Sequence, residues 1–226
     1  MPPALQRVRI WDLPTRLFHW LLAASVIGSI VSAKIGGNAM VWHFRLGYAI
    51  LALLAFRILW GLVGGHWSRF VRFVYSPATL LRYLSGKQRE GEYLEVGHTP
   101  TGALSVFALL GIIALQVATG LVADDEIANT GPLIKFVSGS TSSLATGWHK
   151  GWGQWLIIGL VVLHIAAIVF YLLKKRQNLV GPMLSGDKVV PEGVPASTDG
   201  AGTRALAAAL LAGCAGGVAW LVSLGG

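Results

Sequence analysis

Residues 148–171 read WHKGWGQWLIIGLVVLHIAAIVFY, and the reading of this stretch decides the fold. No formally charged side chain occurs between positions 151 and 173, and the run is long enough to cross a bilayer as a helix. It carries two histidines, His149 and His164. An imidazole in a lipid-spanning helix is costly, so each is read first as a functional group. They are 15 residues apart, which on an α-helix is about 22 Å along the axis and roughly 60° around it. One helix thus presents two histidines on a similar face, near opposite sides of the membrane. A single metal cannot use both, whereas two cofactors, one per leaflet, can.

The rest of the chain agrees with a membrane setting. Of its 226 residues, 54% are hydrophobic and 12% charged, about half the charge of an ordinary globular domain. Nine tryptophans and 29 glycines suit helices with interfacial aromatics and close mutual contacts. A net charge of +8 would also suit a nucleic-acid binder. The basic residues fall between apolar runs, however, so topology explains them and no nucleic-acid partner is expected. The one cysteine, Cys214, lies in an apolar run and can form no intrachain disulfide.

Five apolar runs are predicted to span, at 17–33, 41–63, 102–123, 151–173 and 205–226. The first follows a polar, basic leader with Arg7, Arg9 and Arg16, and carries His19. A secretory signal is disfavoured by the length of that leader and by a His-Trp pair at the start of the apolar core. The second carries His43, with Gly47 one turn later on the same face. A glycine there lets a flat, bulky group lie against the backbone. Arg45 lies near one end of this run; Arg57 is about 21 Å deeper than His43 and needs an anion or a route to the interface. The third run has no histidine and reads as scaffold, with Gln116 its main polar group. The fifth is rich in alanine and glycine.

The connections are expected to be largely irregular. The 64–100 segment mixes Arg69, Arg72, Arg82, Lys87 and Arg89 with Glu90, Glu92, Glu95 and interleaved aromatics, which suits a short amphipathic piece on a membrane surface. Ser76-Pro77 should start its helical part. His66 and His98 flank it and are read as interfacial or solvated. Residues 127–147 are expected to form a Gly/Ser/Thr-rich loop, and 177–203 a Pro/Gly/Ser linker.

The leader, the 64–100 connection and the 174–204 segment carry 3, 5 and 5 Lys/Arg, and the two intervening loops few. In a bacterial inner membrane this puts the N-terminus in the cytoplasm and the C-terminus in the periplasm after five crossings. His43 and His149 then share the external level, and His19 and His164 the cytoplasmic level. Each pair joins two different helices, as bis-histidine haem ligation requires. Zinc, which favours four ligands at one point, does not suit ligands that divide by depth. Two other readings stay open. A haem-free transporter with functional histidines would purify without haem and show repeats or broken helices. A membrane anchor would tolerate loss of the histidines.

The residues that carry these features also carry a resemblance. Arg16-Leu17-Phe18-His19-Trp20, His43 with Gly47, Arg57-Ile58-Leu59-Trp60-Gly61, Gly97-His98-Thr99-Pro100-Thr101-Gly102-Ala103, and Trp148-His149-Lys150 with His164 resemble the prokaryotic cytochrome b-561 family over about residues 8–176. That family includes the b-type cytochrome subunits of nickel-iron hydrogenases. The resemblance implies an all-α integral membrane protein whose four-helix bundle, residues 1–176, holds two b haems; to this the sequence adds a polar linker at 177–204 and a fifth transmembrane helix at 205–226, beyond the minimal four-helix members. The implied axial pairs are His43 with His149 and His19 with His164. It further implies electron transfer between the quinone pool and a c-type cytochrome or a dehydrogenase or hydrogenase module, in contact with membrane lipid and compatible with an oligomer. Lys150 and Arg45 are expected to meet the propionates of the external haem, and Arg16 and Arg57 those of the cytoplasmic one.

Overall fold

A computed structural model describes residues 4–87, 89 and 91–225; Glu90 and Gly226, named above, lie outside the described residues. The elements run β1 (Leu5–Arg9), α1 (Leu13–Ile35), α2 (Met40–Val63), α3 (Pro77–Leu84), α4 (Pro100–Gly120), α5 (Gly139–Trp148), α6 (Gln154–Leu173), α7 (Val180–Ser185), β2 (Asp187–Pro191) and α8 (Ala201–Ser223). A five-residue π-helical segment, His149–Gly153, joins α5 to α6.

Among the described residues, five stretches are helical, long and apolar enough to cross a membrane: Leu13–Ile35, Gly37–Val63, Pro100–Gly120, Gly139–Leu173 and Ala201–Ser223. These are the five runs expected. The helices expose large apolar side chains such as Ile27, Val31, Ile58, Leu62 and Val162, whereas Ser25, Ser29 and Ser32 of α1 are buried. Apolar groups outside and small polar groups inside are what packing in lipid favours, because lipid tails solvate leucine as well as a protein core does.

The chain divides into two compact units. The first comprises Met1–Leu17, Arg57–Phe107 and His164–Ala208. Here β1 and β2 pair antiparallel, from Leu5 opposite Pro191 to Arg9 opposite Asp187. Val8, Ile10, Trp11, Trp67, Val96, Val190 and Val194 form the core beneath them. Arg9 binds Asp187 at 2.6 Å and also pairs with Asp199. Asp12 caps α1, accepting from the Thr15 amide at 2.8 Å. Ser76 caps α3 in the same way through the Thr79 amide, and Pro77 is the first helical residue, as expected.

The second unit comprises Phe18–Phe56, Ala108–Leu163 and Ala209–Gly226. Val26, Ile50, Leu54, Ile113, Val117 and Ile157 form its core, one or two from each of α1, α2, α4 and α6.

Three segments depart from expectation. Residues 127–147 are not wholly a loop: Ser138 caps a helix that runs from Gly139 into the π-helical segment. Residues 177–203 hold α7 and β2, because β2 finds its partner at the other end of the sequence, and no local pattern announces that. Helix α8 starts at Ala201 rather than at 205. The two-stranded sheet is a small addition to an otherwise helical membrane protein.

Candidate functional site

Two imidazoles meet inside the second unit. His43, in the first turn of α2, and His149, at the junction of α5 with the π-helical segment, have ring centroids 5.9 Å apart and planes 87° from parallel. Both line a cavity of about 660 Å³, within the roughly 300–1,000 Å³ usual for small-molecule and cofactor sites. Its walls are mostly apolar, with Ile30, Phe44, Ile50, Ile113 and Val117 among them. Gly47 also lines it, and a Cβ placed there would meet nothing within 4 Å, so the glycine leaves helix backbone open to the cavity.

Each ring is held through Nδ1. His43 Nδ1 lies 3.0 Å from the Ser29 carbonyl oxygen and 3.0 Å from Ser29 Oγ. His149 Nδ1 lies 2.8 Å from the Gln116 carbonyl oxygen. A carbonyl can only accept, so both Nδ1 atoms carry the proton and donate it. That fixes the tautomer, leaving Nε2 as the nitrogen with a lone pair for a metal. Both rings line the same cavity, so the residues present fit a group that takes two imidazoles. No cluster of three or more His, Cys, Asp or Glu suited to a metal occurs among the described residues.

Helix α4, read as scaffold, does the holding. Gln116 grips His149 twice, its carbonyl accepting from the ring and its side-chain amide donating to the His149 carbonyl at 2.8 Å. The second bond serves a backbone acceptor at the break in helical geometry, where Gly151 has φ −97° and ψ −109°. One turn along α4, Gly120 lets the ring lie on the helix: a Cβ there would come 2.7 Å from His149 Cε1. π-helical segments recur at functional sites because they re-aim a side chain within an otherwise regular helix. Ser29, Gln116 and Gly120 escape the sequence reading because each acts through backbone or close approach; the one signal was Gln116, a lone amide in an apolar run.

The predicted cations disperse. Lys150 lines the histidine cavity, as does Lys34, which was not singled out. Arg45 is exposed and stacks over the Trp42 ring at 5.2 Å. Arg16 donates to the Leu184 carbonyl at 2.5 Å in the first unit. Arg57, also in the first unit, is only 3% exposed, lies 4.5 Å over the Phe70 ring and feels the opposite charge of Asp12. Asp12 is wholly buried; besides the Thr15 amide it accepts from Trp60 Nε1 at 3.2 Å, the Gly65 amide at 3.0 Å and Ser68 Oγ at 2.7 Å. Gly61 lets Phe70 seat against α2, since a Cβ there would fall 2.1 Å from its ring.

The remaining histidines differ in setting. His19 belongs to the second unit, half-buried and edge-on to Trp20 at 4.9 Å; His164 belongs to the first, half-buried on α6. His98 is not solvated: its ring packs 4.3 Å from Phe73 and 4.7 Å from Trp11. His66 is half-buried beside Trp67, and burial, reinforced by Arg72 and Arg69, pushes its pKa down.

Comparison with known proteins supplies an independent line. Residues 10–186 match the family model described as prokaryotic cytochrome b561. A protein of Bradyrhizobium diazoefficiens named "Probable Ni/Fe-hydrogenase B-type cytochrome subunit" is 24% identical over 213 residues, covering 80% of this chain and 85% of that one. Proteins of the same name from Azotobacter vinelandii and Cupriavidus necator are each 25% identical, covering 83% and 81% of this chain and 91% and 87% of theirs. No solved structure matches.

Proposed function

The chain belongs to the prokaryotic cytochrome b561 family, and on that premise, which makes it a membrane electron-transfer protein with haem b, we propose that it carries two b haems and passes electrons between the quinone pool and a redox partner. The observation that carries this reading is the His43–His149 pair: two imidazoles with ring centroids 5.9 Å apart, each with Nδ1 donating to a backbone carbonyl, in an apolar cavity. His43 and His149 would hold one haem through Nε2. Haem iron with both axial positions filled supplies one-electron chemistry and leaves no position for oxygen.

The residues around it have separable tasks. Ser29 and Gln116 set the tautomer and aim of the two rings. Apolar lining excludes water, and Lys34 and Lys150 are the cations available to the propionates. For the second haem, the shared depth of His19 and His164 in the sequence supports that pair as ligands. The names borne by the relatives favour a hydrogenase module as the partner, with a c-type cytochrome as the other candidate. The distribution of basic residues supports a bacterial inner-membrane placement with a cytoplasmic N-terminus. Residues 1–176 then form the dihaem core, and the helix after the 177–204 segment is an addition to it.

The test is a dithionite-reduced minus oxidised spectrum of the purified protein with a pyridine-haemochrome count. Two b haems per chain are expected. One haem would remove one of the pairs, and folded protein without haem, made with haem available, would overturn the reading.

A further inference from the structure

Quinone chemistry moves protons as well as electrons, and the spanning helices carry no carboxylate within their apolar runs. The first unit brings one to α6 from outside. Tyr171, in the last turn of α6, has its hydroxyl 2.9 Å from the hydroxyl of Tyr83 on α3. Tyr83 in turn donates to Glu95 Oε1 at 3.5 Å, and Gln177 Nε2 donates to the other oxygen, Oε2, at 3.2 Å. The loop that presents Glu95 is pinned by Lys188, whose ammonium donates to the Glu95 carbonyl at 2.5 Å. All these groups are half-buried, so the chain leads from a membrane helix to a carboxylate with access to water. Tyr171 is seven residues after His164, on the same face of α6 and about 10 Å along its axis.

We propose that Tyr171, Tyr83 and Glu95 form the proton route for quinone turnover by this protein; the proposal rests on the quinone-coupled reading above. The donor order gives the route a direction. Tyr83 spends its proton on Glu95, so in this arrangement Tyr171 donates to Tyr83. A quinol oxidised beside Tyr171 gives two electrons to the cytochrome and releases two protons as it becomes quinone. For each proton, the Tyr171 oxygen accepts it from the quinol hydroxyl, the Tyr171 proton passes to Tyr83, and the Tyr83 proton passes to the Glu95 carboxylate and then to water. Rotation of the two hydroxyls reverses the order for quinone reduction. A phenol relays by accepting one proton while giving up another, so neither tyrosine needs to ionise.

The experiment is stopped-flow reduction of the full-length, haem-loaded protein in detergent by decylubiquinol, with a short-chain menaquinol in parallel, in H2O and D2O. Dithionite reduction serves as the proton-independent reference. Tyr83→Phe and Tyr171→Phe keep the rings and remove the hydroxyls. Each is expected to slow quinol-driven reduction about tenfold or more and to change the solvent isotope effect, with haem content and the dithionite rate unchanged. Glu95→Gln should do the same, and Glu95→Asp should restore part of the rate. Phe variants with the parent rate and isotope effect would overturn the route. Loss of haem in both Phe variants would show the hydroxyls to be structural and would overturn it as well. Parent protein that neither quinol reduces, though dithionite does, would sink the quinone reading and the route with it.

Discussion

The two units solve opposite problems with the same kind of helix. In the second, α2 contributes His43 to a cavity of about 660 Å³ that no side chain of the unit fills. In the first, α2 contributes Arg57 to a cluster that its own neighbours close completely: Phe70 covers the guanidinium, and Asp12 balances it while accepting four hydrogen bonds. The histidine site sets two fixed rings on the wall of an apolar cavity, as a place for a ligand must. The difference teaches that one membrane helix can bury a cation among its own neighbours near one end and set an imidazole on a cavity wall near the other.

The largest expected effect is on the closed cluster. Asp12→Ala removes the opposite charge that Arg57 feels and the acceptor of four buried hydrogen bonds. Leaving a buried hydrogen-bonding group unmet costs about 1–3 kcal/mol. The thermal unfolding midpoint in detergent should fall steeply, or folded protein should be lost. Asp12→Asn keeps part of the hydrogen bonding and should fall between. An Asp12→Ala protein that melts with the parent would show that the cluster does not hold the first unit together.

In the open site the balance should reverse. His43→Ala or His149→Ala removes little packing, because the rings face a cavity, but it removes an axial ligand proposed above. Each should purify folded and lacking one of two haems by pyridine haemochrome, and the double variant should lose no more than either single. A double variant that loses both haems would show that the two ligand pairs are not independent.

How much of this the sequence disclosed depends on the range of the interaction. The five spans, the Ser76-Pro77 helix start and the meeting of His43 with His149 were legible, because each follows from hydropathy, capping or helix arithmetic on one or two segments. The anion demanded by Arg57 was legible as a need but not as Asp12, which lies 45 residues earlier in what read as a polar leader. Strand β2 was hidden for the same reason, its partner being about 180 residues away. Gln116 and Gly120 were hidden for a different one: they act by a backbone carbonyl, an amide and a missing Cβ, none of which has a periodic signature.

A middle-sized effect separates holding a ligand from being one. Gln116→Ala deletes the amide that serves the His149 carbonyl at the π-helical break but keeps the main-chain acceptor for the ring. Leaving a buried acceptor unmet costs about 1–3 kcal/mol. Haem should still bind, with faster loss on dilution and altered low-spin ferric resonances as the ring loses its fixed aim. Gly120→Ala should act in the same direction, since its Cβ would press on His149 Cε1. Parent haem retention and resonances in both variants would confine the orienting role to the main-chain carbonyl.

The smallest effect belongs to the first unit and concerns charge rather than packing. His66 follows Gly65, whose amide donates to Asp12, and its pKa is pushed down by burial first, then by Arg72 and Arg69. A histidine whose folded pKa lies below its unfolded value of about 6.5 is bound by a proton more readily in the unfolded chain. Its neutral form therefore contributes stability that is fully present above about pH 6.5 and is lost progressively as pH falls through that value toward the folded pKa. The ring is half exposed, so solvent screens the repulsion and the slope should be shallow. Thermal midpoints taken between pH 7.5 and pH 5.5 should decline slightly more in the parent than in His66→Gln, which cannot take up the proton. Because the cavity histidines are to be occupied by haem, holo protein isolates this contribution. Equal declines in parent and variant would place the acid sensitivity elsewhere and leave the Asp12 cluster indifferent to the charge beside it.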